Sequence, residues 1–149
     1  MPSTWIFQAN PAKYHIHQAL ANEREELWNC NQHAHKIHAG DRVLIWLSGA
    51  RAGIYAQGSV LEDATERPDT LKGQDYWKDK RQGVEVRPRV KVKYETSFLD
   101  NPLLKVFLRW DPALEGLSVM TQPRGTNFVV RPEEWLALEI WLERLPDGL

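Results

Sequence analysis

The chain has 149 residues, 42% apolar and 26% charged, with a net charge of −1, a balance that fits one soluble domain over 1–149 and excludes the overall basic character of a non-specific nucleic-acid binder. Its single cysteine, Cys30, excludes an internal disulfide, and no apolar run is long enough to span a bilayer. The opening MPSTWIFQANP is too short and too polar for a secretory signal, so a cytoplasmic protein without membrane contact is expected.

Residues 3–10, STWIFQAN, read as a strand with Ile6, Gln8 and Asn10 on one side and Trp5 and Phe7 on the other. Residues 11–21 read as a helix, with Asn10 as N-cap, Pro11 in the first turn, and Tyr14, Ile16 or His17, and Leu20 as its buried stripe. EELWNCN, 25–31, is a short extended run, and Gly40-Asp41 breaks the chain into a turn. Residues 42–48 are apolar on both faces, with Val43, Ile45 and Leu47 opposite Leu44, Trp46 and Ser48, as in a central or barrel strand. Residues 53–62 form its partner. Residues 63–82 are charged and read as a long loop holding Asp75, Tyr76 and Trp77. VEVRPRVKVKYETSF, 84–98, is the clearest strand. It places Val84, Val86, Val90, Val92 and Tyr94 on one face and Arg87, Arg89, Lys91 and Lys93 on the other. NPLLKVFLRW, 101–110, reads as a helix, and PRGTNFVV, 123–130, as a turn into a strand. RPEEWLALEIWLERL, 131–145, is a helix with Pro132 at its start, two glutamates favourable to the dipole, and a stripe of Trp135, Leu138, Trp141, Leu142 and Leu145. The order predicts an α+β fold: a small mixed barrel or strongly bent sheet with helices at its ends.

Phosphate-binding glycine loops and nucleophile elbows are missing from the sequence. Cys30 has His33 and His35 nearby; either they form a thiolate–imidazole pair or the thiol is simply buried. The five histidines lack zinc-ligand spacing, so no metal and no cofactor is expected. The row Arg87, Arg89, Lys91 and Lys93 either follows a phosphate backbone or is a solvated strand face. Trp28, Trp46, Tyr76 and Trp77 either stack on a base or pack in the core. Gln8, Asn10, Asn29 and Ser48 are the right types to read a base edge. The small residues after Trp46, Gly49 among them, would let a flat ligand approach the backbone.

The blocks WIFQANP (5–11), GDRVLIWLSGARAGIYAQGSV (40–60), VKVKY (90–94), NPLL (101–104) and GTNFVVRPEEW (125–135) together resemble the EVE domain, a PUA-like family related to the YTH domain. The resemblance covers nearly the whole chain. It implies a PUA-like bent barrel of about five or six strands with flanking helices, and a reader of modified nucleobases. YTH relatives hold a methylated adenine in an aromatic cage. EVE relatives are associated with modified cytosine in DNA, sometimes fused to restriction nucleases, so a separate restriction or modification protein is the expected partner here. By this resemblance Gln8 and Asn10 face the pocket, and Trp28, with Asn29 and Cys30, supplies one wall and a backbone acceptor. Trp77 supplies the second wall, with Tyr76 as its alternative. Ser48 and Gly49 end the strand that floors the pocket, and Arg124, Gly125, Thr126 and Asn127 form a turn beside the ligand. The expected function is non-catalytic recognition of a modified base, such as methylated or hydroxymethylated cytosine, flipped out of DNA or RNA. An enzyme acting on a nucleotide or small molecule in the same pocket, and a protein-interaction module with exposed tryptophans, are the alternatives.

Overall fold

In the computed structural model, which describes residues 2–145, eight strands form one mixed sheet. They are β1 (Thr4–Ala9), β2 (Glu25–Asn29), β3 (Arg42–Leu47), β4 (Gly53–Val60), β5 (Thr65–Arg67), β6 (Arg87–Ser97), β7 (Leu103–Leu104) and β8 (Asn127–Val130). The main path runs β2-β6-β4-β3-β1-β8, with β5 paired to β6 and β7 to β4. Only the β1–β3 pairing is parallel. Bulges at Ile45/Trp46 and Gln57/Gly58 add bend and twist, and the sheet curls into a half-barrel. Gly58 is required at the second bulge, because a Cβ there would collide with the Lys93 carbonyl oxygen. No helix among the described residues is long and apolar enough to cross a membrane.

Alternation along β1 and β3 builds two cores. Phe7, Val43 and Ile45 pack on one side with Ile16 and Leu20 of α1 (Ile16–Asn22). Ile6, Leu44 and Trp46 pack on the other side with Leu108, Leu114, Leu117 and Leu138. Those leucines come from α4 (Lys105–Leu108), a 3-10 turn (Pro112–Leu114), the segment before α5 (Ser118–Thr121), and α6 (Pro132–Glu143). Trp135, Trp141, Leu142 and Leu145 are half-buried against the second core as the stripe predicts.

Three segments depart from expectation. The first helix starts at Ile16, not at Pro11, because the Asn10 side chain accepts the Ala12 N–H at 2.9 Å and turns the chain. Tyr14 then makes a backbone bridge to Trp77. The expected loop at 63–82 is β5 followed by α2 (Leu71–Tyr76) and α3 (Lys80–Val84). Thr70 caps α2 by accepting the Gly73 N–H at 2.9 Å, and Asp79 caps α3 by accepting the Arg81 N–H at 3.1 Å. Val84 and Val86 therefore precede β6 and are exposed. Residues 101–110, expected as one helix, divide into β7 and α4, because Leu103 and Leu104 pair with Ile54 and Gly53 of β4.

Candidate functional site

A cavity of about 520 Å³ opens beside β2, between the end of β1, residues 123–126 and the α2–α3 segment. Its position follows from the sheet order. β2 lies at the edge of the sheet path and pairs with β6 alone. Cys30 N–H donates to Pro88 O at 2.8 Å and Tyr94 N–H to Arg24 O at 2.9 Å. Even-numbered residues of β2 thus spend their backbone groups on β6, and the N–H and C=O of Leu27 and Asn29 point off the open edge. Asn29 O accepts Asn127 Nδ2 at 3.0 Å. Leu27 and Asn29 both line the cavity.

Two indoles contribute to the lining. Trp28 is only 7% exposed, packs its ring 6.0 Å from Phe7 and donates its N–H to Tyr94 Oη at 2.8 Å. Trp77 is half-buried; it donates to Asp69 Oδ2 at 2.9 Å and meets the Tyr14 ring edge-on at 4.8 Å. Both indole nitrogens are satisfied inside the protein. What the rings present to the cavity is apolar surface.

The polar rim is held by its own hydrogen bonds. Gln8 Nε2 donates to Pro123 O at 2.8 Å and Gly125 O at 2.9 Å. Gln32 Oε1 accepts the N–H groups of Thr126 (2.8 Å) and Asn127 (3.0 Å), and Asn31 Nδ2 donates to Thr126 Oγ1 at 2.8 Å. Gly125, at φ 131, makes the turn that allows this. Arg89 Nη1 donates to Asn29 Oδ1 at 2.5 Å. A guanidinium only donates, so this bond fixes the Asn29 amide and leaves its NH₂ as the free end.

Glu26, buried on β2, also lines the cavity. It accepts hydrogen bonds from Tyr14 Oη at 2.5 Å and from Tyr94 Oη. Burial pushes its carboxyl up to about 7, the two phenol bonds pull it back, and nearby Asp69 and Glu23 add to the rise. Burial first, and Glu26 second, hold Tyr14 and Tyr94 neutral, well above the usual phenol range. Burial also raises Asp69, against the Trp77 and Thr70 N–H groups and the Arg89 charge.

A second, shallower hollow of about 400 Å³ adjoins the first and shares Asn10 and Ser48 with it. Gly49, Arg51, His17 and Tyr55 line it. Tyr55 Oη donates to Arg51 O at 2.6 Å, and the His17 ring stands edge-on to Tyr55 at 5.6 Å. The Arg51 side chain is exposed and makes no ion pair among the described residues.

The EVE domain family model matches residues 3–140. The chain belongs to the EVE domain family. No curated protein matches it by sequence. Its fold is shared by a hypothetical protein from Leishmania major, at TM-score 0.70, 19% identity and 96% coverage of both chains. It is shared also by a Pseudomonas putida protein, at TM-score 0.68 and 17% identity, over 93% of this chain and 98% of that one. Human THYN1, in complex with 5-methylcytosine-containing DNA, aligns at TM-score 0.68 and 14% identity over 97% of this chain and 99% of that one. At these identities the likeness is one of fold. The EVE domain has the bent, helix-flanked PUA-like sheet that the sequence blocks imply.

In this EVE domain the cavity gathers Gln8, Asn10, Trp28, Asn29, Ser48, Trp77, Arg87, Arg124, Gly125 and Thr126 from segments far apart in sequence. Gly49 lines the adjoining hollow only. Trp46 is a correction: it is 2% exposed in the core on the opposite side of the sheet, with Leu44 and Ile54. Parity decides this, since Ile45 and Leu47 take the other core. Tyr76 lies outside the lining, its ring 5.8 Å from Tyr14 and its hydroxyl on Glu23 Oε2 at 2.8 Å. Asn127 is buried and braces the rim. Cys30 is buried off the cavity, and burial pushes its thiol up to about 12; His33 packs instead on Trp5, at 5.4 Å.

The expected basic row is also corrected. Arg89 is 0% exposed. It donates to Asn29 and to the carbonyls of Arg67 (2.9 Å), Gln82 (3.0 Å) and Glu85 (3.0 Å), and lies 3.9 Å from Asp69. α3, the residue after it and Asp69 before α2 close over the Arg89 side chain, which turns the middle of the row inward. Arg87 pairs with Glu85 at 2.6 Å, Lys91 is half-buried and Lys93 exposed, so the four do not form one surface. Sequence reading missed Tyr14, Glu26, Asn31, Gln32 and Asp69. The one signal for Glu26 was its alternation with Trp28 on a short edge strand.

Proposed function

We propose that this EVE domain is a non-catalytic module that takes one modified base of a nucleic acid, flipped from its stack, between Trp28 and Trp77. The observation that carries the reading is the cavity itself: about 520 Å³, within the range of about 300–1,000 Å³ usual for small-ligand sites. Its apolar walls are two indoles, and its polar rim is fixed in advance. Such a slot stacks a heterocycle and reads its edge. The Asn29 NH₂, the Asn29 N–H and the backbone edge at Leu27 are the reading groups, since Asn29 O is already held by Asn127, with Asn10, Ser48 and Thr126 around them.

The human THYN1 complex with 5-methylcytosine DNA makes that base the first probe. Arg87, Arg124 and Lys13 line the cavity and supply cations for the phosphates beside the flipped base. Arg51 in the adjoining hollow supplies one for the next nucleotide. Catalysis is disfavoured by the Cys30 thiol, which burial keeps protonated, and by Glu26, both of whose oxygens already accept phenols. A module of this kind leaves chemistry on the marked base to a separate restriction or modification protein.

The test is fluorescence anisotropy with short DNA and RNA oligonucleotides, single- and double-stranded, each with one 5-methylcytosine or its unmodified control. Tighter binding of a modified strand, lost in Trp77→Ala with the fold intact, is expected. Equal affinity for modified and control strands in every format would overturn the reading.

A further inference from the structure

We propose that Glu26 is the positioning residue of the cavity: one carboxylate, gripped by the Tyr14 and Tyr94 phenols, sets the placement of both indole walls. The inference rests on the reading of the cavity as a base slot. Its structural half stands without a ligand.

The two indoles come from unconnected places. Trp28 is on β2, and Trp77 lies between α2 and α3. The chain of contacts that joins them passes through Glu26. The Trp28 N–H donates to Tyr94 Oη at 2.8 Å, and the same Tyr94 hydroxyl donates to Glu26 Oε1. Glu26 Oε2 accepts from Tyr14 Oη at 2.5 Å, and the Tyr14 ring edge meets the Trp77 ring at 4.8 Å and 71°. Tyr14 also bridges Trp77 through the backbone. Three segments, β2, β6 and the turn before α1, thus meet on one side chain.

Proton counting shows what the arrangement demands. An ionised carboxylate only accepts, so it takes both phenol hydrogens and leaves Tyr94 oxygen free to accept Trp28. A protonated Glu26 must donate to one of the phenols. That phenol then loses its own bond to the carboxylate and must redirect its hydrogen, which breaks one of the two grips. The ionised form is the one that fits both walls. Facing Glu26 are Tyr14 from the turn before α1, Tyr94 from β6, Glu23 after α1 and Asp69 before α2. Tyr76 of α2 bonds Glu23, and Arg89 of β6 pairs with Asp69. Burial, with those two carboxylates, moves the Glu26 carboxyl up to about 7, so the wall-setting form gains population across neutral pH. If only that form binds, apparent affinity at about pH 6 is roughly tenfold weaker than at about pH 8.

The experiment has two arms. In the first, without ligand, the indole N–H signals are followed by NMR against pH. The Trp28 signal should titrate with a midpoint near that of Glu26 and lose this response in Glu26→Gln, while Trp5, bonded to Asp41, serves as reference. A flat Trp28 signal in the wild type, or one that still titrates in Glu26→Gln, overturns the proposal. Should Glu26→Gln not fold, Tyr94→Phe decides in the same way, since it keeps the ring and removes the relay. In the second arm, affinity for a 5-methylcytosine oligonucleotide and its unmodified control is measured across the same pH range. A roughly tenfold gain with pH in the wild type, absent in Glu26→Gln, supports the proposal. Binding that ignores pH overturns its functional half. A titrating Trp28 with no preference for the modified strand sinks the base-reader reading and leaves the positioning role standing.

Discussion

Glu26 makes a stability prediction opposite in sign to its effect on binding. Its carboxyl moves from an ordinary 4.5 to about 7 in the folded chain. Between those values the native state keeps a proton that the unfolded chain has released, so stability falls as pH rises through that window. At about 1.4 kcal/mol per tenfold change in proton affinity, the loss is roughly 3 kcal/mol once both states are ionised. Glu26→Gln removes the titration and keeps the shape. Urea unfolding at several pH values between about 5 and 8 should show the wild type losing roughly 3 kcal/mol relative to the variant. Asp69, also raised, is coupled to Glu26, so an Asp69→Asn background serves as the control for the comparison. Stability curves that stay parallel across that range would refute the account of a buried, wall-setting carboxylate.

Arg89→Ala should destabilise the fold by about 3–5 kcal/mol in urea unfolding, because Asn29, three carbonyls and Asp69 lose their donor; a change confined to the salt dependence of binding would contradict this. Trp77→Ala should cost about 1–3 kcal/mol of binding to a base-modified strand in anisotropy titrations. Trp46→Ala, on the far side of the sheet, should cost about 3–5 kcal/mol of stability in urea unfolding and leave the preference for the modified base in place. Arg51→Ala should reduce the slope of log affinity against log salt by about 1, and an unchanged slope would remove the adjoining hollow from the path of the strand.

The central strands β1 and β3 were legible because they carry apolar runs whose alternation survives into both cores. Trp28, Trp77 and the turn at 124–127 came from the family resemblance, and the cavity gathers Trp28, Trp77 and residues 124–126; no local pattern separates a lining indole from a buried one. Trp46 shows this: its sequence surroundings resemble a ligand-facing turn, and strand parity sends it to the other core. Arg89 misled because alternation assigns a face to a side chain without saying what covers that face. The short α3 and the segment before α2, too brief to leave a periodic pattern, close over Arg89. Glu26 was hidden for a related reason. A carboxylate in a polar-looking run gives no sign that two tyrosines, twelve and sixty-eight positions away, close over it.

The most direct measurement of the central claim is an NMR titration of the protein with a 5-methylcytosine oligonucleotide and, separately, with its unmodified control. The account predicts shift changes centred on Trp28, Trp77 and Asn29 that appear only with the modified strand. Changes that leave those three residues untouched, or that are identical for both strands, would contradict it.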